Sequence, residues 1–160
     1  MSPYKEGDRA AKAWFLAALL WFPAFTTIGF ILAIKFFRPD FLSADSWLTF
    51  GRLRPAHVNG LLFGFLSSSL LGAMLYILPR LAKKPLEHAR LAAAAAALWN
   101  LALLAGVVLI ILGYSQGREY AEMPWVIDVA VMLTLLLLGY IVFSTLAARG
   151  EKKLDRKSVV

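Results

Sequence analysis

Residues 49–65 read TFGRLRPAHVNGLLFGF, which places two arginines, a proline and a histidine at the mouth of a long apolar run. The chain has only two histidines, His57 and His88. An ionisable side chain inside an apolar span is by default a functional hypothesis. A neutral imidazole can bind iron through one ring nitrogen. The competing reading is a histidine hydrogen-bonded to a neighbouring helix. Arg54 lies three residues before His57, on the same helical face. A guanidinium there can pair with carboxylates, often in bidentate fashion, and haem carries two propionates. Downstream, Gly60, Gly64, Ser68 and Gly72 recur four apart. Such a row reads either as close helix–helix contact or as room for a flat cofactor lying against the helix. Further along, Glu119, Glu122 and Asp128 form an acidic group. They read as a solvated loop, as oxygen ligands for a hard cation such as calcium, or as proton-handling groups.

The elements that must position these residues are set by hydropathy. Of the 160 residues, 60% are hydrophobic, against about half in a soluble domain. The excess falls into four blocks free of Asp, Glu, Lys and Arg: 13–34, 55–79, 91–114 and 129–148. Each is long enough to cross a hydrocarbon core, which takes about 20 residues at about 1.5 Å rise each. Backbone groups in lipid must be satisfied internally, so the blocks are expected as helices. The fold expected is all-α and integral to the membrane. Residues 1–12 form a polar lead-in, 13–148 a four-helix membrane domain, and 149–160 a basic tail. The spans are placed at about 13–36, 55–79, 90–114 and 125–148. The first block is too long and too far from the N-terminus for a signal peptide and is expected as a retained span. Pro23 is expected to kink helix one, and helix two is expected to start near Pro55. Asn100 falls near mid-membrane.

The net charge of +7 has a topological use. With four spans, the N-terminus, the second loop and the C-terminus share one side, which carries twelve Lys and Arg against five on the other. The positive-inside rule puts both termini in the cytoplasm, and Arg52, Arg54, His57 and the third loop at the outer face. Nucleic-acid binding is not expected. The absence of cysteine excludes disulfides, thiolate metal sites and haem attachment through CxxCH.

GRLRPAHVN at 51–59, followed by a glycine-rich apolar helix, and GYSQGREYAEMPWVID at 113–128 resemble the N-terminal third of subunit I of the cbb-type haem–copper cytochrome c oxidases. The large subunit of cytochrome c-dependent nitric oxide reductase is a more distant likeness. The resemblance covers nearly the whole chain as the first four of about twelve helices in a haem–copper oxidase-like bundle. It implies that His57 is one axial ligand of the low-spin haem b. It implies that Arg54, with Arg52, contacts haem propionates. On the groove reading of the small-residue row, Gly60 and Gly64 border the haem. It also implies that Glu119 lies beside a calcium ion bridging the propionates, with Glu122 close by.

The family needs further histidines on later helices: a second axial ligand, a proximal ligand for a high-spin haem, and three ligands for copper. His88, in the second loop, is on the wrong side to serve. The tyrosines, Tyr120 included, match no catalytic tyrosine motif. The resemblance therefore implies a partial or split subunit in the bacterial inner membrane. A histidine-rich membrane chain would complete it, alongside c-type cytochrome subunits. Two other functions stand beside it. One is a homodimeric membrane cytochrome b in which each copy donates His57 to a shared haem. The other is a non-redox assembly or scaffold protein, in which His57→Ala would be silent.

Overall fold

The computed structural model describes residues 3–149. Four helices are long and apolar enough to cross a membrane: α1 Lys5–Phe37, α2 Phe50–Leu81, α3 Ala89–Leu112 and α4 Trp125–Ala147. A single 3₁₀ turn, Ser46–Leu48, interrupts the α1–α2 connection. The lead-in is helical from Lys5, so the charged residues Lys5, Glu6, Asp8, Arg9 and Lys12 occupy the first turns of α1. At 33 residues α1 is about 50 Å long, well beyond a hydrocarbon core of about 30 Å. Helix α2 begins at Phe50, five residues earlier than Pro55 suggests. Pro55 sits in its second turn, and the backbone N–H groups of Arg52 and Leu53 bond the Thr49 carbonyl ahead of it. Helix α1 continues through Pro23, where the Thr27 hydroxyl donates to the Pro23 carbonyl at 2.8 Å.

Helices α1, α2 and α3 pack mutually, and α4 packs mainly on α3. The alanine run makes α3 the best-covered helix. Ala92, Ala95, Ala96, Trp99, Leu103, Val107 and Ile110 are buried at spacings of three and four. Small side chains let neighbouring backbones come close where no hydrophobic force separates helix from lipid. Helix α4 buries only the stripe Thr134, Leu138, Ile141 and Thr145. Its two threonines satisfy their hydroxyls on the carbonyls of Ala130 and Ile141, each at 2.8 Å.

Each of three tryptophans places its indole N–H on a polar atom of another helix, as a buried indole requires. Trp14 Nε1 donates to the Ala92 carbonyl at 3.2 Å, Trp99 Nε1 to the Phe63 carbonyl at 3.2 Å, and Trp21 Nε1 to Asn100 Oδ1 at 2.6 Å. The Phe63 carbonyl lies in a π-helical stretch, Gly60–Ser67, within α2. The wider ladder loosens backbone bonding there, and two donors make it up. They are the Trp99 indole and the Ser67 hydroxyl, which donates to the Leu62 carbonyl at 2.9 Å.

The small-residue row of α2 meets the aromatic stripe of α1. A Cβ at Gly60 would lie 2.2 Å from the Phe25 ring, one at Gly64 2.4 Å from the Trp21 ring, and one at Gly72 3.1 Å from Trp14 Cβ. The row is therefore an interhelical contact. Phe25 and Trp21 fill the space in front of Gly60 and Gly64.

At the end of the bundle that holds the α1 N-terminus, Arg80 binds Asp8 at 2.9 Å and stacks its guanidinium 3.5 Å from the Tyr76 ring centre. His88 lies at this same end. It is exposed, has φ of 54°, and stacks on Tyr140.

Candidate functional site

The opposite end gathers the C-termini of α1 and α3, the N-termini of α2 and α4, and the loop joining α3 to α4. His57 projects from the early part of α2 and is half-buried. Its Nδ1 lies 2.7 Å from the Phe25 carbonyl of α1. A carbonyl oxygen can only accept, so Nδ1 carries a proton, and in the neutral imidazole Nε2 keeps its lone pair. Metal-ligating histidines have this arrangement: one nitrogen donates to a backbone carbonyl and the other is left for the metal. The imidazole rests on Gly29, where a Cβ would fall 2.4 Å from Cε1. The Phe25 ring in turn stacks near Trp21, with centroids 4.9 Å apart.

Arg54 reaches the loop. Its Nη2 lies 3.4 Å from Glu119 Oε1, with both side chains more than half exposed. A pair so long and so wet holds little energy, about 0–1 kcal/mol, and leaves most of the guanidinium donors free. Arg52 is placed differently. Helix α3 ends in a Schellman motif, in which Gly113 N bonds the Ile110 carbonyl at 2.9 Å and Tyr114 N the Leu109 carbonyl at 2.8 Å. Gly113 takes φ of 100°, which suits a residue without Cβ. The intervening Ile111 carbonyl accepts from Arg52 Nη1 at 3.3 Å. Arg52 thus lays a cation over the negative end of α3.

The two glutamates part company. Glu122 is buried, and its Oε2 accepts from Asn59 Nδ2 at 2.9 Å. The same amide nitrogen donates to the Pro55 carbonyl at 2.8 Å, while Asn59 Oδ1 has no partner. Gln116 closes the loop from within. Its backbone N–H donates to the Glu122 carbonyl at 2.8 Å, and its side-chain amide donates to the Met123 carbonyl and, at 3.1 Å, to Asp128 Oδ2. Met123 is buried against Gly106 of α3. Among the described residues no group of three or more His, Cys, Asp or Glu converges on a point where a metal ion could sit. Glu119 and Glu122 do not by themselves form a calcium cage.

The structure therefore brings His57, Arg54, Glu119 and Glu122 to one end and places His88 at the other. It adds Asn59, Gly29 and the Phe25 carbonyl, none of which the sequence singled out. Asn59 carried a signal, as a polar residue in an apolar helix two positions after His57. A backbone carbonyl carries none. A neutral imidazole with a free Nε2 suits one axial position of an iron macrocycle, and no second histidine stands at this end among the described residues.

Residues 9–159 match the family model described as cytochrome c and quinol oxidase polypeptide I. The chain is 33% identical over 126 residues to the cbb3-type cytochrome c oxidase subunit CcoN1 of Stutzerimonas stutzeri, covering 78% of this chain and 26% of that one. It is 31% identical over 157 residues to a cytochrome c oxidase subunit 1 homolog of Azorhizobium caulinodans, covering 94% and 26%. It is 29% identical over 154 residues to cytochrome c oxidase subunit 1 of Rhodobacter capsulatus, covering 90% and 28%. The chain spans about a quarter of the length of these curated relatives. Four membrane-length helices and a match over nearly the whole chain agree: it is a multi-pass membrane protein and belongs to the cytochrome c and quinol oxidase polypeptide I family.

Proposed function

We propose that these residues form the first four helices of a cbb-type terminal oxidase subunit I, and that His57 Nε2 is one axial ligand of its low-spin haem b. The observation that carries this is the 2.7 Å bond between His57 Nδ1 and the Phe25 carbonyl, which in the neutral imidazole leaves the Nε2 lone pair for a metal. The haem would supply one-electron chemistry at its iron. The chain's own residues would do the rest. The Phe25 carbonyl fixes the imidazole tautomer and orientation. Arg54, with the donors Arg52 leaves free, would hold the propionates. Glu119 stands beside them where a calcium ion would need oxygen ligands, with Glu122 held close on Asn59. Further helices would supply the second haem-ligating histidine and the haem–copper centre, in a membrane complex with c-type cytochrome subunits. The excess of Lys and Arg on the Arg80 side puts that side in the cytoplasm.

The test is a reduced-minus-oxidised visible spectrum of the protein purified from its native membranes in mild detergent, beside His57→Ala. A sharp b-type α band that His57→Ala abolishes is expected. An undiminished low-spin band in His57→Ala would show that iron is held elsewhere.

A further inference from the structure

Glycine at position 29 does something the rest of α1 cannot. A Cβ there would lie 2.4 Å from His57 Cε1, 3.0 Å from Nδ1 and 3.1 Å from Nε2. Cε1 and the two nitrogens that flank it are nearest, so the Cε1 edge of the imidazole sits against the Gly29 backbone. From that seat it reaches the Phe25 carbonyl, one turn nearer the N-terminus. That carbonyl is the one a regular α-helix pairs with the Gly29 N–H, and its second lone pair is available to a second donor.

We propose that Gly29 is a positioning residue for His57: its bare backbone lets the imidazole lie against α1 and donate Nδ1–H to Phe25, which holds Nε2 free for iron. The proposal rests on the reading of His57 as an axial ligand. Helix α1 cannot easily back away to admit a side chain at 29. Its Trp14 and Trp21 indoles are bonded to α3, and Phe25 is seated on Gly60. The ring must give instead. Carbon atoms rest about 3.5–4.0 Å apart, so a methyl group at 29 pushes the imidazole away by about 1 Å or more. That is enough to carry Nδ1 out of hydrogen-bond range of the carbonyl. The ring then loses the restraint on which nitrogen bears the proton.

The test uses the full chain in detergent with ¹⁵N-labelled histidine and no cofactor added. The two histidine signals are assigned by His57→Ala. Wild-type His57 is expected as the pure Nδ1–H tautomer, and Gly29→Ala as a mixture of tautomers. Gly139→Ala, where an added Cβ meets nothing within 4 Å, controls for a methyl group added to a membrane helix and is expected to match wild type. In the haem-loaded protein Gly29→Ala is expected to weaken haem retention about tenfold or more, the usual consequence of losing a ligand's hydrogen-bond partner. Wild-type His57 found as the Nε2–H tautomer overturns the proposal with no variant needed. So does a Gly29→Ala protein with wild-type tautomer and haem retention. A b-type band that survives His57→Ala overturns the ligand reading and the proposal together.

Discussion

Two glutamates three residues apart in one loop are expected to behave very differently when removed. Glu122 is 8% exposed and accepts from Asn59, which is 1% exposed, at 2.9 Å. Glu119 pairs with Arg54 at 3.4 Å with 64% and 53% of the two side chains exposed. A buried hydrogen bond to a carboxylate contributes about 1.5–3 kcal/mol, an exposed ion pair about 0.2–1 kcal/mol. A double-mutant cycle over Asn59→Ala and Glu122→Ala should therefore give a coupling of about 1.5–3 kcal/mol, roughly 10- to 150-fold in an equilibrium constant. The cycle over Arg54→Ala and Glu119→Ala should give less than about 1 kcal/mol.

The two single variants of the buried pair should also be unequal. In Glu122→Ala the Asn59 amide keeps one N–H on the Pro55 carbonyl at 2.8 Å, and only its second N–H, a neutral donor, loses its partner. In Asn59→Ala a buried carboxylate loses its side-chain donor, which is the costlier loss. The assay is unfolding of the detergent-solubilised protein by sodium dodecyl sulfate, followed by tryptophan fluorescence. A coupling for the Glu119 pair equal to or above that for the Glu122 pair would refute the assignment of inward and outward roles. So would Glu122→Ala proving more damaging than Asn59→Ala.

Two further perturbations follow from the packing. Gly64→Val forces a branched side chain into the face of Trp21, where even a Cβ would sit 2.4 Å from the ring; overpacking of this kind costs about 1–3 kcal/mol, and the same unfolding assay should show it while Gly139→Ala stays at wild type. Arg52→Met removes the cation over the C-terminus of α3 and the donor to the Ile111 carbonyl; a loss of about 0.3–1 kcal/mol is expected, with faster amide hydrogen exchange confined to the last turn of α3 and the loop after it.

The helices were legible in the sequence because the membrane leaves so little choice. A charge-free run of about twenty residues has few alternatives to a spanning helix, and each of the four blocks lies within or mostly within an observed helix. Helix ends were less legible. Lys5–Lys12 are helical despite their charge, because hydropathy marks where lipid begins and not where a helix does. Pro55 suggested a start that Phe50 provides: proline is favoured in a helix's first turn, but here it sits in the second, with backbone bonding already under way at Leu53. The glycine row was legible as a groove, but its occupant was not. Nothing in the pattern of α2 says that Phe25 and Trp21 of α1 come to fill it. Within the site, His57, Arg54, Glu119 and Glu122 stood out by charge, and the structure gathers them at one end. The groups that orient them, Gly29, Asn59 and a main-chain carbonyl, depend on which helix faces which. One chain read along its length does not give that.

The density of polar residues in GRLRPAHVN has a geometric cause. At about 100° per residue, Arg52 and Asn59 come within about 20° of one another around α2, one above the other. Arg54 and His57 fall on a different face, about 60° apart. The first pair serves the α3 side: Arg52 bonds the Ile111 carbonyl, and Asn59 holds Glu122 of the loop that leaves α3. On the second face, His57 bonds α1 through Phe25, and Arg54 meets the rim of the loop at Glu119. Two turns of one helix thus tie down α1, the end of α3 and the α3–α4 loop. Where lipid supplies no hydrophobic force between helices, polar contacts of this kind are among the few that can fix register. A histidine placed amid them stands on backbone tied to both neighbouring helices, the restraint that the proposed ligand role would need.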